Sequence, residues 1–177
     1  MLETIQTLNH LLGISGILGI VVMILIVIDF KTKRHLEGAV KKFGLIVALL
    51  ATVGASGMTL LYSEYFGILP CGLCWLERAF LYPQVFLLSV ALYNRDKSVA
   101  QSGLVLSIVG LVISLYHHYL QMGGTEFIKC PAVGAGISCT KRYIFEFGFI
   151  TFPLLSALLF GFLIILYLYI KKSERTE

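Results

Sequence analysis

Five long apolar runs leave this chain few ways to fold. Residues 11–28, 43–63, 98–125 and 147–170 contain no Lys, Arg, Asp or Glu, and the run 74–93 carries only Glu77 and Arg78, both near its start. At about 1.5 Å of helix per residue, even the shortest run reaches about 27 Å, enough to cross the hydrocarbon core of a bilayer. With 58% hydrophobic and 14% charged residues, the composition excludes an ordinary soluble domain. The expectation is an all-α integral membrane protein of five transmembrane helices forming one bundle. A cleaved signal peptide is a poor account of the first run: residues 1–10 carry Glu3 and no Lys or Arg, and the basic cluster follows the run instead of preceding it.

The basic residues orient the helices. The net charge of +4 could suggest a nucleic-acid partner, but the cations sit in short clusters between apolar runs, so no nucleic-acid site is read. Lys31, Lys33, Arg34, Lys41 and Lys42 follow the first run, Arg95 and Lys97 follow the third, and Lys171, Lys172 and Arg175 follow the last. That places ten basic residues on one side, against Arg78, Lys129, Lys141 and Arg142 on the other. The positive-inside rule then puts the ten in the cytoplasm and the N-terminus and all four cysteines outside it. Disulfides persist in such an oxidising compartment.

The cysteines carry the chemistry. Cys71 and Cys74 form a Cys-x-x-Cys pair within Pro70-Cys71-Gly72-Leu73-Cys74-Trp75-Leu76-Glu77-Arg78. A helix beginning near Pro70, whose missing N–H suits a first turn, places Cys71, Cys74 and Arg78 on one face. A helix N-terminus and a guanidinium both stabilise anions, so the arrangement lowers a thiol pKa and supplies the thiolate that exchanges disulfides. Cys130 and Cys139 bracket a hoop containing Pro131, Gly134 and Gly136, which can close a disulfide and also move. Two other readings stay open. A structural zinc site is disfavoured because Cys130 and Cys139 make no second short knuckle, and no metal is expected. Two inert structural disulfides suit the compartment but leave Arg78, one turn beyond Cys74, unexplained. His117 and His118 lie in the cluster Tyr116-His117-His118-Tyr119, where placement at a membrane interface is a sufficient reason for polar aromatics.

Taken together, these stretches resemble the DsbB family of membrane thiol oxidases, and most closely its compact branch represented by BdbC. The resemblance rests on Cys71 to Arg78 with the following Tyr82-Pro83, on Tyr116-His117-His118-Tyr119, and on Cys139 leading into Phe147-Gly148-Phe149-Ile150-Thr151-Phe152-Pro153, and it covers residues 43–170. It implies a four-helix transmembrane bundle, here over residues 43–177 with a cytoplasmic tail; residues 1–42, an additional transmembrane helix and a basic cytoplasmic loop, depart from the family's pattern. It also implies a quinone-dependent protein-thiol oxidoreductase of the cell membrane. Such an enzyme reoxidises an extracytoplasmic thioredoxin-like thiol-disulfide oxidase of the DsbA/BdbD kind and passes the electrons to a membrane quinone, menaquinone or ubiquinone.

By the same resemblance, Cys71–Cys74 and Cys130–Cys139 are redox disulfides. Cys130 receives the partner's thiolate, Cys139 exchanges with Cys71, and Cys74 faces the quinone. Arg78 is the quinone-side cation, and the histidine expected near the quinone is His117 or His118, between which the sequence does not choose. Glu77 matches the family too, but an ion pair with a nearby base accounts for it as well as a catalytic part does. Two alternatives are a relative of vitamin K epoxide reductase and a non-enzymatic membrane scaffold stabilised by two disulfides. In the first, the Cys-x-x-Cys pair comes after the loop pair, the reverse of the order here.

Overall fold

The computed structural model describes residues 2–32, 37–94, 98–130 and 137–174. Lys33, Arg34, Arg95, Lys97 and Arg175 of the basic clusters, and the hoop residues 131–136, lie outside the described residues. The described chain forms five long helices: α1 (Leu2–Lys31), α2 (Glu37–Leu60), α3 (Gly72–Asn94), α4 (Val99–Gln121) and α5 (Phe152–Glu174). A π-helical turn, Leu61–Tyr65, continues α2 and turns Tyr62 and Ser63 into the protein. Among the described residues the only strand-like pairing is an isolated bridge between Glu146 and Ile150.

The five-helix expectation holds, and the protein is a multi-pass membrane protein. Helices α1, α2, α4 and α5 are long and apolar enough to cross a bilayer. Helix α3 matches α4 in length at 23 residues, but it carries Glu77, Arg78 and Gln84, all buried in the bundle. Its polar groups thus face protein, the placement that makes such residues tolerable in a membrane. Large apolar side chains such as Leu18, Leu50, Phe86 and Val112 point outward, which in lipid costs nothing.

Helices α2 to α5 close a ring in which α5 packs against both α2 and α4, and α1 lies outside the ring against α5. Close approach of α4 and α5 depends on two glycines. A Cβ added at Gly103 would lie 2.4 Å from the Tyr167 ring, and one at Gly110 would lie 2.5 Å from the Phe160 ring. At the centre, Gln84 is fully buried and its Oε1 accepts hydrogen bonds from Tyr167 (2.9 Å) and Ser107 (3.2 Å). One amide therefore ties α3, α4 and α5 together, as interhelical polar contacts do where water is absent.

The bundle has two distinct ends. Tyr169 near the end of α5 donates to Asp29 near the end of α1, at 2.9 Å. At the opposite end lie the start of α1, the π turn, both cysteine pairs and the start of α5.

Candidate functional site

Cys71 sits at the N-cap of α3. Its carbonyl accepts the Trp75 N–H at 3.1 Å, and its sulfur accepts the Cys74 N–H at 3.4 Å. Sulfur thus takes the place that a Ser or Asp oxygen takes at other helix starts. The helix begins at Gly72 and not in a first turn at Pro70, so its N-terminal field acts on Cys71 more than on Cys74.

Cys71 and Cys74 are thiols with their sulfurs 2.8 Å apart. The hydrogen bond from Cys74 holds the Cys71 thiol well below its ordinary range, and His117 adds to this against the opposing effect of burial.

The last turns of α4 bring His117, fully buried, against both cysteine pairs. Its Nε2 lies 3.6 Å from the Cys71 sulfur and 3.2 Å from the Cys139 carbonyl oxygen. Its Nδ1 lies 2.7 Å from Glu77 Oε1, so the carboxylate fixes the ring orientation and leaves Nε2 presented to the sulfurs. His118 points the other way, with Nδ1 2.8 Å from the Thr151 hydroxyl. The two histidines are parted by helical phase, adjacent residues lying about 100° apart around an α-helix, and neither is among the residues that line the cavity beside Cys74 described below.

Cys130 and Cys139 form a disulfide. Cys139 is buried in one apolar cluster with Cys71, Leu73 and Leu120, while Cys130 packs at its edge. The segment before Cys130 is tied down twice. Tyr116 Oη donates to the Ile128 carbonyl and accepts its N–H, each at 2.9 Å, and the Cys130 N–H donates to Glu126 at 3.0 Å.

Behind Cys74 opens a cavity of about 210 Å³, lined mainly by apolar side chains including Met58, Leu81, Leu159 and Phe160. Cys71, Cys74, Glu77 and Arg78 line it as well, alongside Tyr62 from the π turn. Arg78 is buried and does not snorkel: its Nη2 donates to the Thr59 carbonyl at 2.9 Å, and its guanidinium lies 5.3 Å from the Trp75 ring. This donor set fits a quinone, whose ring oxygens accept hydrogen bonds and whose tail needs apolar walls. Cys71, Cys74 and His117 also bring three metal-capable atoms within 4.8 Å of one another, while the Cys139 sulfur is engaged in its disulfide.

Sequence reasoning left Glu77 aside and did not single out Tyr62 or Gln121. The signal for Glu77 was present, since a carboxylate inside a membrane run marks a functional site by default. Gln121 follows His117 by one turn and donates to the Lys141 carbonyl at 3.1 Å. No comparable sequence signal pointed to Tyr62, which enters the cavity through the π turn.

The Disulfide bond formation protein DsbB family model matches residues 41–170. The chain is 36% identical over 139 residues to Probable disulfide formation protein C 2 of Bacillus anthracis, covering 78% of this chain and 96% of that protein. It is also 36% identical over 132 residues to Disulfide bond formation protein C of Bacillus subtilis (strain 168), covering 75% and 91%. A third relative, Probable disulfide formation protein C of Bacillus cereus, is 39% identical over 122 residues, covering 67% and 86%. No solved structure matches the chain. With a matched region spanning the cysteine pairs and helices α2 to α5, the chain belongs to the DsbB family of disulfide bond formation proteins, membrane thiol oxidoreductases that act in making disulfides.

Proposed function

We propose that this protein reoxidises an extracytoplasmic thioredoxin-like thiol-disulfide oxidase and passes the electrons to a membrane quinone. One observation carries the reading: His117 Nε2 faces the Cys71 sulfur and the Cys139 carbonyl together, while Cys74 opens onto the apolar cavity. Both cysteine pairs therefore meet at one point, with a lipid-compatible pocket behind them.

The exchange balances as follows. A partner thiolate attacks the Cys130 sulfur, the Cys130–Cys139 bond breaks, and Cys139 leaves as thiolate. Cys139 then attacks Cys71 of an oxidised Cys71–Cys74 pair, and Cys74 leaves as thiolate. The partner's second thiolate displaces Cys130 and completes the partner's disulfide. Cys130 closes again on Cys139 and releases Cys71 as thiolate. The partner has lost two electrons and two protons, and Cys71 and Cys74 hold the electrons.

A quinone held beside Cys74, menaquinone or ubiquinone, would supply the two-electron, two-proton sink. Arg78 would offset negative charge at that sulfur and at the ring oxygens, more strongly than in water because the cavity walls are mainly apolar. His117 would take or return a proton at the Cys71 sulfur, and Glu77 would hold the ring in position. Residues 43–177 would form the catalytic bundle and residues 1–42 an addition to it. The cysteines and N-terminus would face outside and the C-terminus the cytoplasm.

Purified protein given a reduced thioredoxin-like dithiol partner and a short-tailed quinone tests this. Partner oxidation should consume one quinone per disulfide. Cys74→Ser should abolish quinone reduction, and Cys130→Ser should block the partner while leaving Cys71 and Cys74 oxidisable by quinone. Normal turnover by either variant, or partner oxidation indifferent to quinone, would overturn the scheme.

A further inference from the structure

Helix α1 lies outside the family match, which begins at residue 41, yet it reaches the site. The Bacillus anthracis relative is already matched over 96% of its length, leaving no room for a helix of 30 residues. In this chain Leu12 lines the cavity together with Cys74 and Arg78. Three residues earlier, Asn9 joins two other parts of the cavity wall: its Oδ1 accepts from Tyr62 Oη at 2.7 Å, and its Nδ2 donates to the Tyr143 carbonyl at 3.2 Å. Tyr62 and Tyr143 both line the cavity.

The contact is built for close approach. A Cβ added at Gly13 would lie 2.8 Å from Glu146 Cβ, and one at Gly16 would lie 2.9 Å from Leu155 Cδ2. His10 Nδ1 lies 2.9 Å from Glu146 Oε2, and its ring stacks on Phe147 at 5.7 Å. Phe147 has φ 53°, a left-handed conformation that a bulky residue keeps only when its surroundings hold it there. The start of α1 therefore braces the segment that leads from Cys139 into α5.

We propose that α1 is part of the quinone site: Leu12 forms one wall of the cavity, and Asn9 fixes the Tyr62 hydroxyl and the Tyr143 backbone beside it. The proposal rests on the quinone reading above. The ligand class is a lipid-soluble quinone held against Leu12, a wall that the matched part of the family does not supply.

Trp75, the single tryptophan, lies beside Arg78, so its fluorescence is used to follow binding. The full-length protein in detergent is titrated with a short-tailed menaquinone analogue and, in parallel, a short-tailed ubiquinone analogue. Leu12→Phe should raise Kd about tenfold by intruding on the cavity, and the milder Leu12→Ala and Asn9→Leu should each raise it about threefold to tenfold. Leu18→Phe, on the outward face of α1, should leave Kd unchanged. Unchanged Kd in Leu12→Phe, Leu12→Ala and Asn9→Leu while the parent protein binds would overturn the role of α1 alone. Failure of the parent to bind either quinone would overturn the quinone reading and this proposal with it.

Discussion

Cys71 gathers a helix N-terminus, a neighbouring thiol and an imidazole around one sulfur, and each favours its anion. Because its pKa is depressed, the thiolate is present above the lowered value and is lost only as pH falls through it. Cys74→Ala removes the largest cause and should move the Cys71 titration upward, read as thiolate ultraviolet absorbance against pH in the reduced protein. A titration that stays in place would mean that the Cys74 hydrogen bond does not hold the thiolate. Glu77 is the second residue of consequence. Glu77→Leu leaves a buried imidazole N–H without its acceptor and should cost about 1–3 kcal/mol of stability. Glu77→Gln retains an acceptor oxygen and should cost less. Thermal unfolding of the two variants side by side checks the order.

The decisive contact between elements is that of α4 with α5, where rings from one helix fill the space left by glycines on the other. Gly110→Ala would push a methyl into the Phe160 ring and should destabilise the protein by about 1–3 kcal/mol. Adding Phe160→Leu should recover part of that loss, and a double variant no more stable than Gly110→Ala would show that the clash lies elsewhere. The π turn after α2 matters for a different reason. Its wider winding carries Tyr62 into the cavity, and single π turns inside longer helices recur at functional sites.

At the scale of the whole molecule, both cysteine pairs and the start of α1 share one end of the bundle, and the Asp29 to Tyr169 contact marks the other. The ten-to-four asymmetry of basic residues predicts that the cysteine end faces outside. Membrane-impermeant thiol reagents should reach the cysteines of intact cells after reduction, and a C-terminal tag should be protected until the membrane is opened. A tag accessible from outside would reverse the orientation.

The sequence by itself determined the class of fold, because uncharged runs as long as a bilayer is thick have no soluble alternative, and it pointed to thiol chemistry, because Cys-x-x-Cys with an Arg one turn on is a local pattern. It located four of the five membrane helices as plain apolar runs and found the fifth despite Glu77 and Arg78. Tertiary structure alone decided which histidine meets the cysteines. His117 and His118 are chemically equal, and only the phase of α4 against α3 separates them. The same holds for the role of Glu77, whose partner is 40 residues away, and for the cap on α3, which shifted the helix start past Pro70 once a sulfur could accept the Cys74 N–H. The reach of α1 into the cavity was the least legible of all. Asn9 precedes the first apolar run and Leu12 lies at its start, and the contacts of Asn9 to Tyr62 and the Tyr143 backbone exist only because distant segments pack together, a long-range fact that no local pattern encodes.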